Sequence, residues 1–385
     1  MCSEDGCFEL KTRTMVVGVV TRRWNNAHVP LRPRVLLVIA DSSRTGGPEH
    51  VLTLAREIQR SGWQAAVVCP EGDLRDRCRE AGLDSWPVSM SGRSLVAAPV
   101  RLRQLTRRYH ADVIHSHGLR AGGVVRRSRI ASPWVQTHHL DGWFTTGRPR
   151  FALHRHEMKA QVARANLQIA VSQSVADFLS GEAGVTKALI RVVPNGIEPL
   201  ERHRLFRGGT TVVGVLASLV SSKGVDLAVM ALATPQGRGL KLLVGGTGPE
   251  LANLVDLAER LGVAGRTSFL GRVTDRQDFF DRCDVVWVPS RAEPFGLVAC
   301  EAMSAGVPVV ASRVGGLPDI LDAPSAGALV APANPAALAS VTVALLSDGE
   351  RYSRLSAAGA ERVRQRFTAA RMAALTRGVY RELLD

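Results

Sequence analysis

Two glutamates, Glu293 and Glu301, are separated by seven residues in a segment that joins a predicted strand to a predicted helix. The helix is predicted to begin near Gly296, so the first glutamate lies in the turn before it and the second about one and a half turns inside it. Both carboxylates can therefore face one cleft, together with the backbone amides of Phe295 and Leu297. A carboxylate accepts hydrogen bonds from two neighbouring hydroxyl groups. Because the helix dipole favours acidic residues only in the first turn, we interpret the pair as binding the hydroxyls of a sugar or ribose.

Glycine-rich turns recur where predicted strands give way to helices. They lie at residues 46–47 in the first half of the chain, and at 245–250 and 315–319 in the second half. Glycine lets backbone amides approach a ligand, and a helix N-terminus favours phosphate. A dinucleotide fingerprint starting at Gly246 would need glycine where Leu251 stands, and no Walker sequence occurs. The pattern therefore disfavours a dehydrogenase and a P-loop kinase.

Histidines are concentrated in one part of the sequence. Seven of the ten lie between residues 110 and 156, including the pairs 115/117 and 138/139 at predicted strand ends. Such pairs could bind a metal, but only Asp112 and Asp141 lie near them as acidic partners, and the spacing matches no known set of metal ligands. We therefore predict no metal site and expect these side chains to line a ligand cleft at the edge of a parallel sheet.

Charge is distributed unevenly along the 385 residues. Residues 1–200 carry 28 Lys+Arg against 17 Asp+Glu, or +11, whereas residues 201–385 carry 21 against 18, or +3. A basic first half is compatible with nucleic acid, an anionic membrane surface or a phosphorylated substrate. The six cysteines form no C-x-x-C pair, which fits a reducing cytoplasm. No apolar run reaches the roughly 18 residues of a membrane span.

Short apolar runs alternate with amphipathic stretches along the whole chain, which predicts parallel sheets covered by helices. The rhythm restarts after a polar stretch at 198–209, so we predict two Rossmann-like domains in series. Predicted strands lie at 35–40, 65–69, 113–115, 134–137, 167–171, 212–216, 241–244, 267–270, 284–289 and 308–311, and predicted helices include 49–61, 350–367 and 368–384.

Residues 293–311 resemble the donor-binding segment of the retaining GT-B glycosyltransferases of family four. The resemblance covers roughly residues 34 to 370 in the expected order. It extends to Gly46-Gly47, 137–139, 171–175, 193–197, Lys223-Gly224, 246–249 and Gly315-Gly316. Residues 293–311 are highly specific to the family, and the glycine turns are supporting features.

This resemblance implies a GT-B fold, an α/β architecture of two facing Rossmann-like domains with the active site in the cleft between them. Residues 1–33 would form a poorly ordered extension, or reflect a start codon placed too early. Residues 34–200 would form the acceptor domain and 210–367 the sugar-nucleotide-binding domain. The final helix, 368–385, would pack back on the N-terminal domain.

The resemblance also implies roles for residues that bind the donor. Glu301 would hold the ribose and Glu293 the hydroxyls of the donor sugar, without acting as a nucleophile. Lys223 would neutralise the diphosphate, and Gly47 would let the first-domain loop close on the donor. The amides of 295–297 (Phe295, Gly296 and Leu297) would meet the donor's sugar and phosphates.

Further roles concern the reacting carbon and the base. His139, rather than His138, would contact the sugar near the anomeric carbon, which makes it a catalytic candidate with Lys223 and Glu293. The main chain at Arg272 and Val273 would hold the base. Family enzymes retain the anomeric configuration without a required metal, so we expect no cofactor, only a nucleotide-sugar co-substrate.

One position departs from the family pattern. The family commonly has an arginine five residues before its Lys-Gly, and Ser218 occupies that place here. A bidentate phosphate partner is therefore missing. Another arginine substitutes, the donor is unusual, or activity is weak or lost. Our hypothesis is an active enzyme with altered phosphate contacts.

The sequence thus predicts a retaining hexosyltransferase that uses a UDP- or GDP-sugar, in cell-envelope, polysaccharide or glycolipid biosynthesis. The alternatives are a weak or inactive sugar-nucleotide-binding protein and another GT-B enzyme such as a sugar-nucleotide epimerase. The acceptor could be lipid-linked, a polysaccharide or a small molecule. We expect a cytoplasmic protein that can lie on the inner face of an anionic membrane through its basic N-terminal half, and no nucleic-acid partner.

Overall fold

The computed structural model describes residues 32–43, 45–140, 148–201 and 211–385. The predicted N-terminal extension lies outside the described residues except for its last two positions. Most of the predicted linker 198–209 lies outside them as well. Helices in the described part of the chain all lack the combination of length and apolarity that crossing a membrane requires.

The first half of the described chain forms a seven-stranded parallel sheet in the order β3-β2-β1-β4-β5-β6-β7. Its central strands are buried on both faces, as expected for a parallel sheet covered by helices. Its strands are β1 (Arg34–Ile39), β2 (Gln64–Cys69), β3 (Asp84–Pro87), β4 (Val113–His117), β5 (Trp134–His138), β6 (Leu167–Ala170) and β7 (Ile190–Val192). Its helices are α1 (Gly46–Arg60), α2 (Asp73–Glu80), α3 (Ala98–Tyr109), α4 (Gly118–Ser128), α5 (Arg148–Val162) and α6 (Gln173–Gly181).

The second half repeats the plan with a six-stranded parallel sheet in the order β10-β9-β8-β11-β12-β13, among the residues described. Its strands are β8 (Thr211–Leu216), β9 (Leu240–Gly245), β10 (Thr267–Gly271), β11 (Val285–Val288), β12 (Val309–Ser312) and β13 (Ala328–Val330). Its helices are α7 (Val225–Ala233), α8 (Leu251–Arg260), α9 (Arg276–Asp281), α10 (Leu297–Ser304), α11 (Leu317–Leu321), α12 (Pro335–Leu346) and α13 (Gly349–Arg366). Two Rossmann-like sheets in series confirm the predicted α/β fold class.

The chain crosses back to the first sheet after α13. Ile197 and Thr368 form an isolated parallel bridge, in which the Ile197 amide donates to the Phe367 carbonyl and the Ala369 amide donates to the Ile197 carbonyl. The last helix, α14 (Ala369–Leu384), then packs against α1. Its Tyr380 is fully buried in the same core as β1 and β2.

The ten predicted strands are confirmed to within about two residues at each end. Three further strands, β3, β7 and β13, are absent from the sequence prediction. All three are short edge strands with few fully buried residues. Edge strands of three or four residues carry too little hydrophobic pattern to stand out from loops.

Candidate active site

The carboxyl ends of the two sheets meet across the domain interface. The Ser172 hydroxyl, just after β6, donates a hydrogen bond of 2.6 Å to the Pro294 carbonyl. On the other side, a Cβ atom added at Gly46 would lie 3.6 Å from Leu297 Cδ1. Turns at the carboxyl end of the first sheet therefore touch the segment that contains the predicted glutamates. Ligands of open parallel sheets bind at such strand ends.

Glu293 lies in the loop between β11 and α10, where its carboxylate is already engaged. Lys223 Nζ donates to Glu293 Oε2 at 2.7 Å, and the Ser290 hydroxyl donates to the same oxygen at 3.0 Å. The Lys223 side chain is 28% exposed and that of Glu293 12% exposed, so the ion pair is partly shielded from water. Two predicted site residues, Lys223 and Glu293, are therefore in direct contact.

A tight turn places Lys223. The residue ends a short 3-10 turn, Ser221–Lys223, and Gly224 after it adopts φ 63°. A Cβ atom at Gly224 would lie 2.1 Å from the Pro289 carbonyl oxygen. Only glycine fits this approach, because both the positive φ and the neighbouring backbone exclude a side chain.

Glu301 is the fifth residue of α10 and forms an ion pair with a residue of the second domain. Arg276 Nη1 donates to Glu301 Oε2 at 2.5 Å. Burial raises the pKa of Glu301 to about 7; the charge of Arg276 opposes this shift and that of Glu49 adds to it. Glu49 belongs to α1 of the first domain, so charged groups of both domains influence the pKa of the Glu301 carboxyl group.

The N-terminus of α10 supplies the predicted amide donors. Gly296 precedes the helix with φ 122°, and the Glu293 side chain lies 3.6 Å from where a Cβ of Gly296 would stand. Phe295 is 5% exposed and packs in the core. The first amides of a helix have no intrahelical acceptor, so those from Leu297 onward point toward its N-terminal end and Glu293.

The histidines at the carboxyl ends of β4 and β5 form one largely buried group in the first sheet. His115 is fixed between Tyr380 Oη and Thr137 Oγ1, each 2.6 Å from a ring nitrogen. His138 Nε2 lies 2.8 Å from Gln168 Oε1, which turns this ring into the sheet. His139 Nε2 instead lies 3.4 Å from His117 Nδ1.

Desolvation keeps these imidazoles neutral. Burial lowers the pKa of His138 to about 4 and lowers the pKa values of His115, His117 and His139 well below the ordinary range, with neighbouring histidines adding to the effect for these three. Neutral imidazoles are both donors and acceptors, so the predicted role of His139 at a sugar hydroxyl fits its ionisation state.

The remaining predicted residues lie around this centre. Gly47 is the second residue of α1, and a Cβ there would stand 3.7 Å from Ile39 Cδ1. Arg272 is exposed just after β10, and Val273 packs over Gly245. Ser218 is exposed in the turn after β8.

Two residues of the site were not predicted from the sequence. Arg276 follows β10 at the carboxyl edge of the second sheet, where an arginine opposite Glu301 could have been sought. His50 lies four residues after Gly46 on α1, one helical turn further along the same face. Its ring centroid lies 5.2 Å from that of His117 and 4.9 Å from that of His139. A spacing of four from the glycine turn was the available signal.

Comparisons with known proteins identify the family of the chain. The sequence profile described as Glycosyl transferases group 1 matches residues 197–362, and Glycosyltransferase Family 4 matches residues 44–200. A glycogen synthase of Mycobacterium tuberculosis is 30% identical over 316 residues, which are 77% of this chain and 75% of the relative. A D-inositol 3-phosphate glycosyltransferase of Corynebacterium jeikeium is 34% identical over 252 residues, which are 57% of this chain and 60% of the relative.

Solved structures share the fold across nearly the whole chain. The Anabaena protein HepE, solved in complex with UDP and glucose, superposes with a TM-score of 0.78 at 21% identity, covering 91% of this chain and 99% of HepE. A Rickettsia africae glycosyltransferase gives a TM-score of 0.79 at 16% identity, covering 92% and 99%. Sequence profiles, relatives and architecture agree, and the chain belongs to the glycosyltransferases of family four, the group 1 glycosyl transferases with a GT-B fold.

Proposed function

We propose that the chain transfers a hexosyl group from a UDP- or GDP-sugar to a hydroxyl of an acceptor, with retention of the anomeric configuration. The observation that carries this proposal is the grouping of Lys223, Glu293 and the N-terminus of α10, with Glu301 one turn along the same helix. Lys223 and the first amides of α10 lie beside Glu293, and Arg276 contacts Glu301. This combination suits a diphosphate that is joined to two sets of hydroxyls.

Departure of the nucleotide is the step that these residues would assist. Negative charge develops on the diphosphate as its bond to the anomeric carbon breaks. Lys223 and the amides at the start of α10 would stabilise that charge without rearrangement, because the Glu293 contact already holds the lysine in place. Glu293 would bind the donor sugar through its carboxylate, and His139 would contact the sugar near the reacting carbon.

Ribose and base would bind further along the second sheet. Glu301 would accept hydrogen bonds from the ribose hydroxyls, after the nucleotide displaces or reorients Arg276. The main chain at Arg272 and Val273, at the end of β10, would hold the base. HepE was solved with UDP and with UDP-glucose, which supports a nucleotide-sugar donor for this chain.

The acceptor would bind to the first domain. The relatives include a glycogen synthase, D-inositol 3-phosphate glycosyltransferases and a 2-deoxystreptamine glucosyltransferase of Streptomyces kanamyceticus. These names cover a polymer and small molecules. We propose a role in polysaccharide, cell-envelope or glycolipid biosynthesis, with transfer that needs no metal or other cofactor.

One observation favours a second candidate function. Ser218 offers no charge to the diphosphate, so a protein that binds nucleotide sugars with little or no turnover is the alternative. An epimerase of the same fold is a further alternative, and the product assay described next distinguishes it from a transferase.

A matrix of nucleotide sugars and acceptors, followed by mass spectrometry and by NMR of the new anomeric centre, tests the proposal. We expect release of nucleotide together with an α-linked product from an α-linked donor, in the presence of EDTA. Binding without turnover would favour the silent protein, and an altered sugar without acceptor would favour the epimerase. A product with inverted configuration would contradict retention.

A pair of lysine variants tests whether Lys223 contacts the leaving phosphate. Lys223→Ala is expected to lower kcat at least about a hundredfold, because a charge-assisted contact to the leaving phosphate is lost in a shielded site. Lys241→Ala removes an exposed lysine of β9 and is expected to leave kcat unchanged. Unchanged transfer by Lys223→Ala would contradict the assigned role.

We further propose that the protein works in the cytoplasm and can rest on the inner face of an anionic membrane. Residues 85–111 contain five arginines and no acidic residue. In the structure they include an exposed rim patch, defined as Arg93, Val96, Val100 and Arg101, in which Val96 is 85% and Val100 59% exposed. Apolar side chains flanked by arginines suit an anionic lipid surface.

A further inference from the structure

Three imidazoles from three different elements meet beside the donor segment. His50 comes from α1, His117 from the end of β4 and His139 from the residue after β5. Their ring centroids lie 4.9 to 5.7 Å apart. The ring of His115 lies 4.2 Å from that of His117, but both its nitrogens have hydrogen-bond partners in Tyr380 and Thr137. His138 is hydrogen-bonded to Gln168.

Several nitrogens of this histidine cluster, defined as His50, His117 and His139, are buried without a partner. Among the described residues, neither ring nitrogen of His50 has a hydrogen bond, and Nε2 of His117 has none. His50 is 5% exposed and His117 3% exposed. Asn195 lies beside His50 but falls short of hydrogen-bond geometry, and its Oδ1 is also unpartnered. Buried polar atoms without partners are rare, so this concentration indicates a place for a polar ligand.

The cluster adjoins the donor end of the interface. Gly46 and His50 lie one helical turn apart on α1, and a Cβ atom added at Gly46 would lie 3.6 Å from Leu297 Cδ1 at the start of α10. Glu49, the residue before His50, is close enough to Glu301 to influence its pKa. A ligand on the cluster would therefore lie next to a sugar held at the N-terminus of α10.

Ionisation and surroundings limit the chemistry of that ligand. Burial lowers the pKa of His50 to about 4, so the cluster carries no positive charge for a phosphate at neutral pH. A metal is disfavoured because histidine ligands almost always donate their second ring N–H to a neighbouring group. One ring nitrogen from each of the three histidines lies within 4.8 Å of the others, but His50 has no such neighbour in hydrogen-bond geometry among the described residues.

A hydroxyl group can serve a neutral imidazole both as hydrogen-bond donor and as hydrogen-bond acceptor. The ring offers one N–H donor and one nitrogen acceptor, and a hydroxyl can accept from the first and donate to the second. Neighbouring hydroxyls of one molecule could satisfy the unpartnered atoms of His50, His117 and Asn195 together.

We propose that His50 and His117 bind hydroxyl groups at the uncharged, polyhydroxylated end of the acceptor and hold it against the donor sugar beside His139. This inference rests on the proposed function and specifies its acceptor. Any phosphate or lipid on the acceptor then lies away from the reacting end.

The two unpartnered nitrogens of His50 allow a substitution that separates binding from folding. His50→Phe keeps a ring of similar size and removes both orphan nitrogens, so the free energy of unfolding should be unchanged or higher. With glycerol, glucose and myo-inositol as acceptor probes, the KM of the polyol that wild type uses should rise about tenfold. The Kd of the nucleotide should stay unchanged. His117→Gln, which retains one polar contact, should raise KM less.

His138→Phe is the matched control at the same sheet edge. It leaves Gln168 Oε1 unpaired, so it should lower the free energy of unfolding and leave the acceptor KM within about twofold of wild type. If His50→Phe left KM unchanged, or if only acceptors phosphorylated at the reacting end were used, the proposal would be overturned. If the wild-type protein held stoichiometric zinc and His50→Phe removed that zinc, the cluster would be a metal site and not an acceptor site. Absence of nucleotide binding by wild type would instead refute the proposed function itself.

Discussion

The proposed ribose-binding role of Glu301 requires an ionised carboxylate, whereas burial of this side chain disfavours the ionised form. An ionised carboxylate can accept two ribose hydrogen bonds, whereas a protonated one presents an O–H donor instead. Burial in the helix raises its pKa to about 7, despite the neighbouring Arg276. Burial lowers the pKa values of His50 and His139, which therefore stay neutral over the same pH range.

Nucleotide binding should consequently depend on pH through Glu301. Its raised pKa means that the carboxyl group becomes protonated as pH falls through about 7, which removes the acceptor form that ribose needs. Between pH 8 and pH 6, the Kd of the nucleotide should rise about tenfold. Isothermal titration calorimetry at a series of pH values measures this change.

The matching variants identify the group that titrates. Glu301→Gln should bind nucleotide weakly and with little dependence on pH, whereas Glu259→Gln, at an exposed position on α8, should behave as wild type. A wild-type Kd that stays constant from pH 6 to pH 8 would argue against Glu301 as the ribose ligand.

Ser218 allows a test in which a substitution is expected to strengthen nucleotide binding. The position is exposed after β8, five residues before Lys223, so an arginine there can be accommodated without repacking a core. If the diphosphate lies beside Lys223, Ser218→Arg should bind the nucleotide about tenfold more tightly, since a charge-assisted hydrogen bond is gained. Ser268→Arg, on exposed strand β10, is the control for added charge, and equal effects of the two variants would count against a local contact.

At the scale of elements, the sequence predicted the strands and turns that carry the site better than the contacts between them. Buried central strands such as β1 and β11 are continuous apolar runs, so their existence follows from local pattern. The pairing of Glu301 with Arg276, and of His115 with Tyr380 265 positions later, depends on how distant elements pack. No local pattern encodes such contacts, which is why Arg276 was missed. The spacing of four between Gly46 and His50 places His50 on the same helix face but does not encode its contacts with His117 and His139.

Gly224 lies between Lys223 and the first residue of α7, so the conformation of this turn fixes the position of Lys223. Gly224→Ala would place a methyl group 2.1 Å from the Pro289 carbonyl oxygen at a backbone φ of 63°. We expect a loss of at least about 2 kcal/mol in the free energy of unfolding and weaker nucleotide binding, because the turn must shift. Chemical denaturation and calorimetry measure the two effects.

Gly239→Ala provides the comparison for this turn. A Cβ at Gly239 meets no atom within 4 Å, so stability should change by less than about 0.5 kcal/mol. Equal stability of the Gly224→Ala and Gly239→Ala variants would show that the close approach at Gly224 does not constrain the fold.

At the scale of the whole molecule, the chain crosses the interface twice. The segment at Ile197 leads toward the second domain, and its bridge with Thr368 marks the return into α14. The resemblance to family four implied this return helix. The sequence alone could not have indicated that Tyr380 of α14 fixes His115 of β4 through a 2.6 Å contact. A helix from the far end of the chain therefore supports the histidine edge of the first sheet.

The location of the rim patch links the proposed membrane contact to the proposed acceptor site. Its residues follow β3, whose carboxyl end belongs to the same sheet edge as the histidine cluster. A membrane that contacts Val96 and Val100 would therefore meet the edge at which the acceptor is proposed to bind. Arginines on the same patch would add attraction to anionic lipid, worth about 1 kcal/mol each near the surface.

Vesicle sedimentation tests this arrangement. The protein should bind vesicles that contain anionic phospholipid at low salt, and binding should weaken at high salt because the attraction is screened. Arg93→Glu with Arg101→Glu should reduce the bound fraction at least about tenfold, since two attractions become repulsions. Arg354→Glu with Arg364→Glu makes the same change of net charge on exposed positions of α13 and should leave most of the binding intact. Equal losses in both double variants would show that net charge, rather than the rim patch, governs the contact, and absence of binding at low salt would rule out the membrane proposal.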